Sequence, residues 1–264
     1  MRFSIVIPNY NSEKTIIKLL DSIKKQTYKD FEIVIVDDMS TDNSVRIIKD
    51  YLFESNLWYE IKVNETKRYN GGSRNRGVEL AIGDYIVFAD CDDWFYSERS
   101  LEELAKAIDN KPDVDLVRLS YAPWVNGNIG NVRLHEATLG ELVSSVFVAP
   151  WLKCLRRDKF VPFPENTLCE DVVQHIAQID VIETWTYCDL PIMVWNRDNP
   201  DAISADGKVY DRNSKRYASI YRQLADLLEL RCTHDYCEQE RNKRINWYLD
   251  KIHKGEEGTI VRTA

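Results

Sequence analysis

No run of eighteen or more apolar residues occurs in the 264-residue chain, so nothing in it reads as a membrane-spanning helix. An export signal is also lacking. Met1-Arg2-Phe3-Ser4-Ile5-Val6-Ile7-Pro8 is too short and is broken too early by Pro8, so it reads as a first strand. The cysteines, at positions 91, 154, 169, 188, 232 and 237, form no regular framework. With no export signal, that predicts reduced thiols in a cytoplasmic protein. The stretch Cys232-Thr233-His234-Asp235-Tyr236-Cys237 fits no common structural zinc spacing. Positive charge is not in excess either. The net charge of −8 disfavours a general polyanion binder and leaves only local basic patches. No internal repeat or low-complexity segment is present. What remains is ordinary globular composition, 44% apolar and 30% charged, enough for one large domain or a domain with a C-terminal extension.

The first half alternates two periodicities. Strands are expected at 3–7, 31–36, 58–63, 84–89 and 116–119. Between them lie helical stripes: Ile16, Leu19, Leu20 and Ile23 behind a Ser12 cap; Val45, Ile48 and Leu52 behind Thr41 or Asp42; residues 73–82, stopped by Gly83; and Leu101, Leu104, Ala105 and Ile108 behind Ser97. Strands separated by helices predict a parallel, doubly wound α/β sheet, whose ligands bind beyond the carboxyl ends of the strands. Two aspartate clusters fall at such ends, Asp37-Asp38 and Asp90 to Asp93.

The second half reads differently. Asn126-Gly127 is a hairpin signal, and Thr138 to Glu141 is a capping box before Leu139, Leu142, Val143 and Val146. Glu170-Asp171 opens a helix carrying Val172, Val173, Ile176 and Ile179. Short strands are expected at 184–188 and 192–195, around Pro191. From about Ser214 the chain reads as helical, with a boundary near Arg212.

Four constellations carry chemistry, and each has a plain structural alternative. "FADCDDW" (88–94) offers carboxylates to a hard divalent cation; the alternative is a polar turn. In "VIVDDMSTD" (34–42) a strand-end carboxylate can accept from a base N–H or a ribose hydroxyl; the alternative is an N-cap, which suits Asp42 best. "YNGGSRNRG" (69–77) combines glycines, which let backbone approach a ligand, with Arg74 and Arg76; the alternative is a glycine turn. "LCEDVVQH" (168–175) places acids at a helix start, where a cap is the usual reading and a catalytic base the sharper one.

Taken in order, Pro8-Asn9-Tyr10-Asn11, Val36 to Asp42, Gly72-Ser73-Arg74-Asn75-Arg76-Gly77, Asp90-Cys91-Asp92-Asp93 and Glu170-Asp171 resemble the family 2 inverting glycosyltransferases of GT-A fold. The opening of the chain, residues 3–44, is especially similar. The resemblance covers about residues 2–205, and not the tail beyond Arg212. It implies a GT-A-type, mostly parallel sheet with flanking helices and a helical C-terminal extension. The implied division is a nucleotide-sugar-binding half (1–120), an acceptor-binding half of the same domain (121–212) and the extension (213–264).

The resemblance further implies roles. Pro8, Tyr10, Asn11, Asp37 and Asp38 line the base and ribose pocket, with Asp37 accepting from the base ring. Gly72, Arg74 and Asn75 lie beside the nucleotide. Asp90 contacts the ribose or donor sugar, with Cys91 next to it as a departure from pattern, a thiol that is a soft ligand or an oxidation point. Asp92 ligates a Mn²⁺ or Mg²⁺ ion that bridges the diphosphate. Asp171 is the base, with Glu170 beside it. The implied partners are a nucleotide-sugar, UDP-linked by preference, and a glycan or lipid-linked glycan acceptor at the inner face of the membrane.

Other readings stand beside this one. A nucleotidyltransferase would carry a glycine-rich loop after strand one, where Pro8-Asn9-Tyr10-Asn11 stands instead. A non-catalytic nucleotide-sugar module does not need Asp92 and Asp171. The basic residues Arg212, Lys215, Arg216, Arg222, Arg241, Lys243 and Arg244 are compatible with an anionic membrane or a nucleic acid acceptor such as modified phage DNA. Acids interleaved among them favour a solvated helix face. The tail's apolar stripe also suits a homodimer contact.

Overall fold

Strand β1 (Phe3–Asn9) is buried along its whole length, and so is β2 (Phe31–Asp37) beside it. A strand hides both faces only when layers cover it above and below. The computed structural model has those layers; it describes residues 1–133, 138–143, 148–167, 170–202, 222–223, 225–226 and 232–256. The remaining strands are β3 (Tyr59–Val63), β4 (Tyr85–Phe88), β5 (Trp94–Phe95), β6 (Leu116–Val125), β7 (Asn128–Ile129), β8 (Lys153–Arg156) and β9 (Trp185–Asn196). The helices are α1 (Ile16–Lys24), α2 (Ser44–Phe53), α3 (Tyr69–Leu80), α4 (Ser100–Asp109), α5 (Leu139–Val143), α6 (Glu170–Asp180) and α7 (Asp235–Glu256).

Side-chain alternation along the strands separates two cores. Ile5, Ile7, Ile33, Ile35 and Val87 pack with the expected stripes of α1, α2 and α4. Val6, Val34, Ile86 and Phe88 face the other way, towards Val78 and Leu80 of α3, Val173, Ile176 and Ile179 of α6, and Cys237 and Tyr248 of α7. The sheet runs β3-β2-β1-β4-β8-β6-β9-β5, with β7 paired to β6. The first four strands are parallel, as expected; β8 then enters antiparallel to both β4 and β6, while β6 and β9 are parallel.

This order creates the crevice. From β1 the chain steps outward to β2 and β3 through α1 and α2 on one face. It then returns through α3 on the opposite face to place β4 on the other side of β1. Right-handed crossovers require that change of face. The carboxyl ends of β1 and β4 therefore diverge at a switch point, where ligands bind in open α/β sheets. The sheet also curls. Residues 89–93 alone connect β4 to β5, which lies four strand spacings away along the sheet. Six residue steps reach at most about 20 Å, and four spacings span about 19 Å. A turn closed by Asp93 N–H donating to the Asp90 carbonyl (3.1 Å) shortens that link, so the sheet ends must approach each other.

Several expectations are corrected. Helix α3 starts at Tyr69, so Gly71 and Gly72 lie inside its first turns rather than in a ligand loop. A Cβ on Gly71 would sit 2.6 Å from the Pro164 carbonyl oxygen, and one on Gly77 would strike Val6. One on Gly72 would meet the Arg68 side chain at 2.7 Å. Gly71 and Gly77 thus let the helix approach neighbouring protein closely. Ser12 does not cap α1; its hydroxyl donates to Asn9, and Thr15 flanks the helix. Asp42 accepts from Ser44 N–H (2.9 Å) and Glu13 N–H (3.0 Å), joining the starts of two helices. The two short strands around Pro191 are one strand, β9, whose register against β6 shifts near the proline. The division at residue 120 falls inside β6. The capping box at Thr138 and the hairpin at Asn126-Gly127 form as expected. Val146, Cys169 and the onset of the tail helix near Ser214 lie outside the described residues.

Candidate active site

Every carboxylate of the strand-end loop has a distinct anchor. Asp90 accepts from Arg74 Nη2 at 2.7 Å. Asp92 accepts from Asn199 Nδ2 at 2.8 Å, and Asp93, buried, accepts from the Asn196 backbone N–H at 2.8 Å. The loop is thereby pinned to α3 on one side and to the end of β9 on the other. Trp94 follows, with Lys18 Nζ 3.1 Å from its ring centroid and 4.5 Å from that of Trp124.

Arg74 is the node of the site. Its guanidinium is buried, donating to Asp90 and, through Nη1, to Glu170 Oε1 at 2.9 Å. The Phe163 ring lies 5.3 Å away. One side chain thus joins the β4 loop to the start of α6, 96 residues further along the chain than Arg74 itself. Asp171 follows Glu170 on that first turn, and its Oδ1 accepts from Val172 N–H at 3.0 Å. Burial pushes the Asp171 carboxyl up, while Arg74 and Lys153 pull against it. Burial also raises Glu170, opposed by Arg74.

The predicted nucleotide residues divide into two groups. Asp37 accepts from Asn9 Nδ2 (2.6 Å), Ser40 N–H (2.9 Å) and Ser40 Oγ (2.5 Å), which fixes it rigidly at the end of β2. Asn11, at φ 49°, accepts from Thr41 N–H (2.8 Å) and ties the loop after β1 to the loop after β2. Tyr10 is exposed beside the crevice, with Lys67 Nζ 2.9 Å from its ring centroid, and Pro8 is buried within β1. Asp38 and Asn75 turn inward instead. Asp38 accepts from Arg68 N–H (2.7 Å), Tyr69 N–H (2.8 Å) and Asn64 (3.0 Å), and so caps α3 from a distance. Asn75 exchanges hydrogen bonds with the Phe163 backbone (2.8 and 2.9 Å), and Arg76 pairs with Glu79 at the surface. Burial, with Asp92 and Asp90 adding to it, raises the Cys91 thiol.

The donor set suits a hard cation completed by substrate. Among the described residues no group of three or more His, Cys, Asp and Glu side chains is placed to hold an ion alone. Mg²⁺-type sites commonly use one or two carboxylates plus phosphate oxygens. Asp92 has that character: burial and then Asp90 raise its carboxyl, marking a negative charge short of a counter-charge. The zinc-like stretch is structural. The Asp180 carboxylate accepts from Thr233 N–H (2.8 Å) and His234 N–H (3.0 Å) and so anchors α7. No helix among the described residues is long and apolar enough to cross a membrane. Lys18, Asn199, Arg118, Lys153 and His175 carry no motif of their own; Lys18 and Asn199, for example, meet Trp94 and Asp92, which are distant in sequence.

Comparison with known proteins agrees with this geometry. The Glycosyl transferase family 2 profile matches residues 4–170. The amylovoran biosynthesis glycosyltransferase AmsB of Erwinia amylovora is 39% identical over 105 residues, which are 39% of this chain and 35% of AmsB. The poly(ribitol-phosphate) beta-N-acetylglucosaminyltransferase TarS of Staphylococcus aureus is 38% identical over 133 residues, 48% of this chain and 22% of TarS. The chain thus spans about a third or less of these two relatives. The crystal structure of S. aureus TarS 1–349 with UDP-GlcNAc superposes with a TM-score of 0.73 at 24% identity, covering 95% of this chain and 72% of that one. It shares the GT-A architecture of a curled mixed sheet between helical layers. With the profile covering well over half its length, the chain belongs to glycosyl transferase family 2.

Proposed function

We propose that this chain is an inverting glycosyltransferase that moves a sugar from a nucleotide-sugar, a UDP-sugar first, to a hydroxyl of a surface-polysaccharide or related glycan intermediate. The observation that carries this reading is the Arg74 bridge, which holds the donor-side Asp90 and the acceptor-side Glu170 within reach of one guanidinium. In this reading Pro8, Tyr10, Asn11 and Asp37 line the base and ribose, Asp90 orients the sugar, and Asp171 removes the acceptor proton as its oxygen attacks the anomeric carbon. Attack from the face opposite the diphosphate inverts the configuration and needs no covalent enzyme intermediate. Asp92 and the diphosphate oxygens would hold Mn²⁺ or Mg²⁺, which when bound neutralises charge on the leaving group. The Pyrobaculum calidifontis mannosyltransferase PcManGT, of similar fold at 16% identity and a TM-score of 0.63, is known in complex with GDP-Man and Mn²⁺.

The acceptor reading draws on relatives named for amylovoran and poly(ribitol-phosphate) synthesis. A nucleic acid acceptor is disfavoured, because Arg241 pairs with Glu238 (3.1 Å) and Lys243 and Arg244 pair with Glu240 (3.3 and 2.6 Å). Exposed Trp247 and Leu249 on α7 suit a second copy or a membrane surface carrying the acceptor.

The test is a panel of UDP-, GDP- and dTDP-sugars with Mn²⁺, reading free nucleotide. Release is expected from at least one UDP-sugar and is expected to fall at least about 100-fold in Asp92→Ala. Binding without release in wild type would favour the non-catalytic module, and success of GDP- or dTDP-sugars alone would overturn the UDP assignment.

A further inference from the structure

Next to Asp171 lies a cluster of buried polar groups that the mechanism above leaves unused. Arg118 on β6 and Lys153 on β8 are direct partners in the strand register. Their neighbours Leu116 and Leu155 belong to the core under α6, whereas Val117 and Cys154 belong to the opposite one. Alternation therefore aims Arg118 and Lys153 towards α6. Arg118 is 2% exposed and Lys153 1%. His175, fully buried, lies one helical turn after Asp171 on that helix.

The cluster has idle hydrogen-bonding capacity. Among the described residues, Arg118 Nε and Nη1 have no partner. Lys153 Nζ donates to the Val148 carbonyl at 2.9 Å, leaving two of its three donors. His175 Nε2 lies 2.9 Å from the Leu142 carbonyl, so that nitrogen carries the proton. Burial and Lys153 hold the ring neutral, so Nδ1 is a vacant acceptor. Charge is unbalanced as well. Arg74 is already matched by Asp90 and Glu170, and Asp171 is the one described carboxylate that acts on Lys153. Burial and then the neighbouring Arg118 push the Lys153 ammonium down to about 7 against the pull of Asp171, as expected where cations outnumber the anions beside them. A buried guanidinium with empty donors is costly in a folded protein unless something binds it.

We infer that Arg118 and Lys153 bind an anionic group, a carboxylate or a phosphate, on a sugar substrate, and that His175 Nδ1 accepts from one of that sugar's hydroxyls. The guanidinium fork matches planar carboxylate and phosphate oxygens. The site calls for negative charge facing Arg118 and Lys153 and a hydroxyl donor facing His175; a uronic acid or a sugar phosphate supplies both, whereas a neutral hexose supplies hydroxyls but no negative charge. The inference rests on the nucleotide-sugar reading and names its substrate class: the transferred sugar or the acceptor is acidic.

Titration calorimetry on the full chain distinguishes the two sources. The donor arm compares UDP-glucuronate with UDP-glucose in Mn²⁺. The acceptor arm compares glucose 6-phosphate and glucuronate with glucose in the presence of UDP. In at least one arm the acidic probe is expected to bind about tenfold tighter or more, and the preference is expected to vanish in Arg118→Gln and in Lys153→Met. Because Arg118→Gln removes an uncompensated buried charge, its melting temperature is expected to equal or exceed that of wild type. Equal binding of acidic and neutral probes in both arms, with UDP itself bound, overturns the inference and leaves the transferase reading intact. Preference that survives in both variants also overturns it, and failure of wild type to bind UDP removes the donor reading together with it. The wild-type comparison decides even where a variant folds poorly.

Discussion

Asp171→Asn is expected to lower turnover by about 10³-fold while nucleotide affinity stays within about twofold of wild type. Asparagine keeps the shape and the hydrogen bond from Val172 N–H (3.0 Å) but cannot take a proton. Loss confined to turnover is the signature of a group that acts in the transition state rather than in ground-state binding. The same residue predicts a pH dependence. Its carboxyl is raised by burial against the pull of Arg74 and Lys153. A base works deprotonated, so turnover falls as pH drops through that raised value, and the acid limb lies above the ordinary aspartate range. Turnover measured against pH at saturating nucleotide-sugar and metal checks this. A flat profile down to pH 4, or a variant that keeps more than a tenth of wild-type turnover, would assign the base elsewhere.

Arg74→Met is expected to cost about 3–5 kcal/mol of stability, because it strands two carboxylates that share one buried cation. The Arg74→Lys variant is expected to recover little, since a single ammonium cannot span Asp90 and Glu170 with a fixed fork. The sign with pH follows from Glu170. Burial holds its folded-state pKa above the usual glutamate value even with Arg74 present. Removing Arg74 raises it further, so at high pH the variant buries an unpaired charge, and as pH falls through the raised value the carboxyl neutralises. The deficit is therefore larger at pH 8 than at pH 5. Denaturant unfolding at both values measures it; a deficit below about 1 kcal/mol at pH 8 would mean that solvent already screens the pair.

Much of this arrangement is legible in the sequence, and the unreadable part has a physical reason. The apolar stripes of α1, α2 and α4 and the mostly apolar β1 and β2 follow from local periodicity, and the alternation of these helices and strands implies the switch point. Glu170-Asp171 reads as a helix start because acids there complement the helix dipole. The roles of Asp38 and Asn75 are not local. Each looks like a ligand contact in sequence, yet Asp38 caps a helix thirty residues on and Asn75 clasps a backbone segment 88 residues on. Gly71 and Gly72 likewise read as loop glycines until the helix they belong to is seen, with Gly71 against Pro164. Arg118 and Lys153 carry no motif at all; only the antiparallel entry of β8 between β4 and β6 sets them side by side. The resemblance to family 2 enzymes supplied what periodicity does not, namely which of several strand-end acids share one site.

The central claim is a single displacement at the β4–α6 junction. Proton NMR of a nucleotide-α-sugar incubated with the protein and Mn²⁺ tests it without needing the acceptor, with water standing in for the acceptor hydroxyl. The account predicts that the first sugar released, before mutarotation, is the β anomer, and that its formation stops in Asp171→Asn. First release of the α anomer, or undiminished release by that variant, would contradict it.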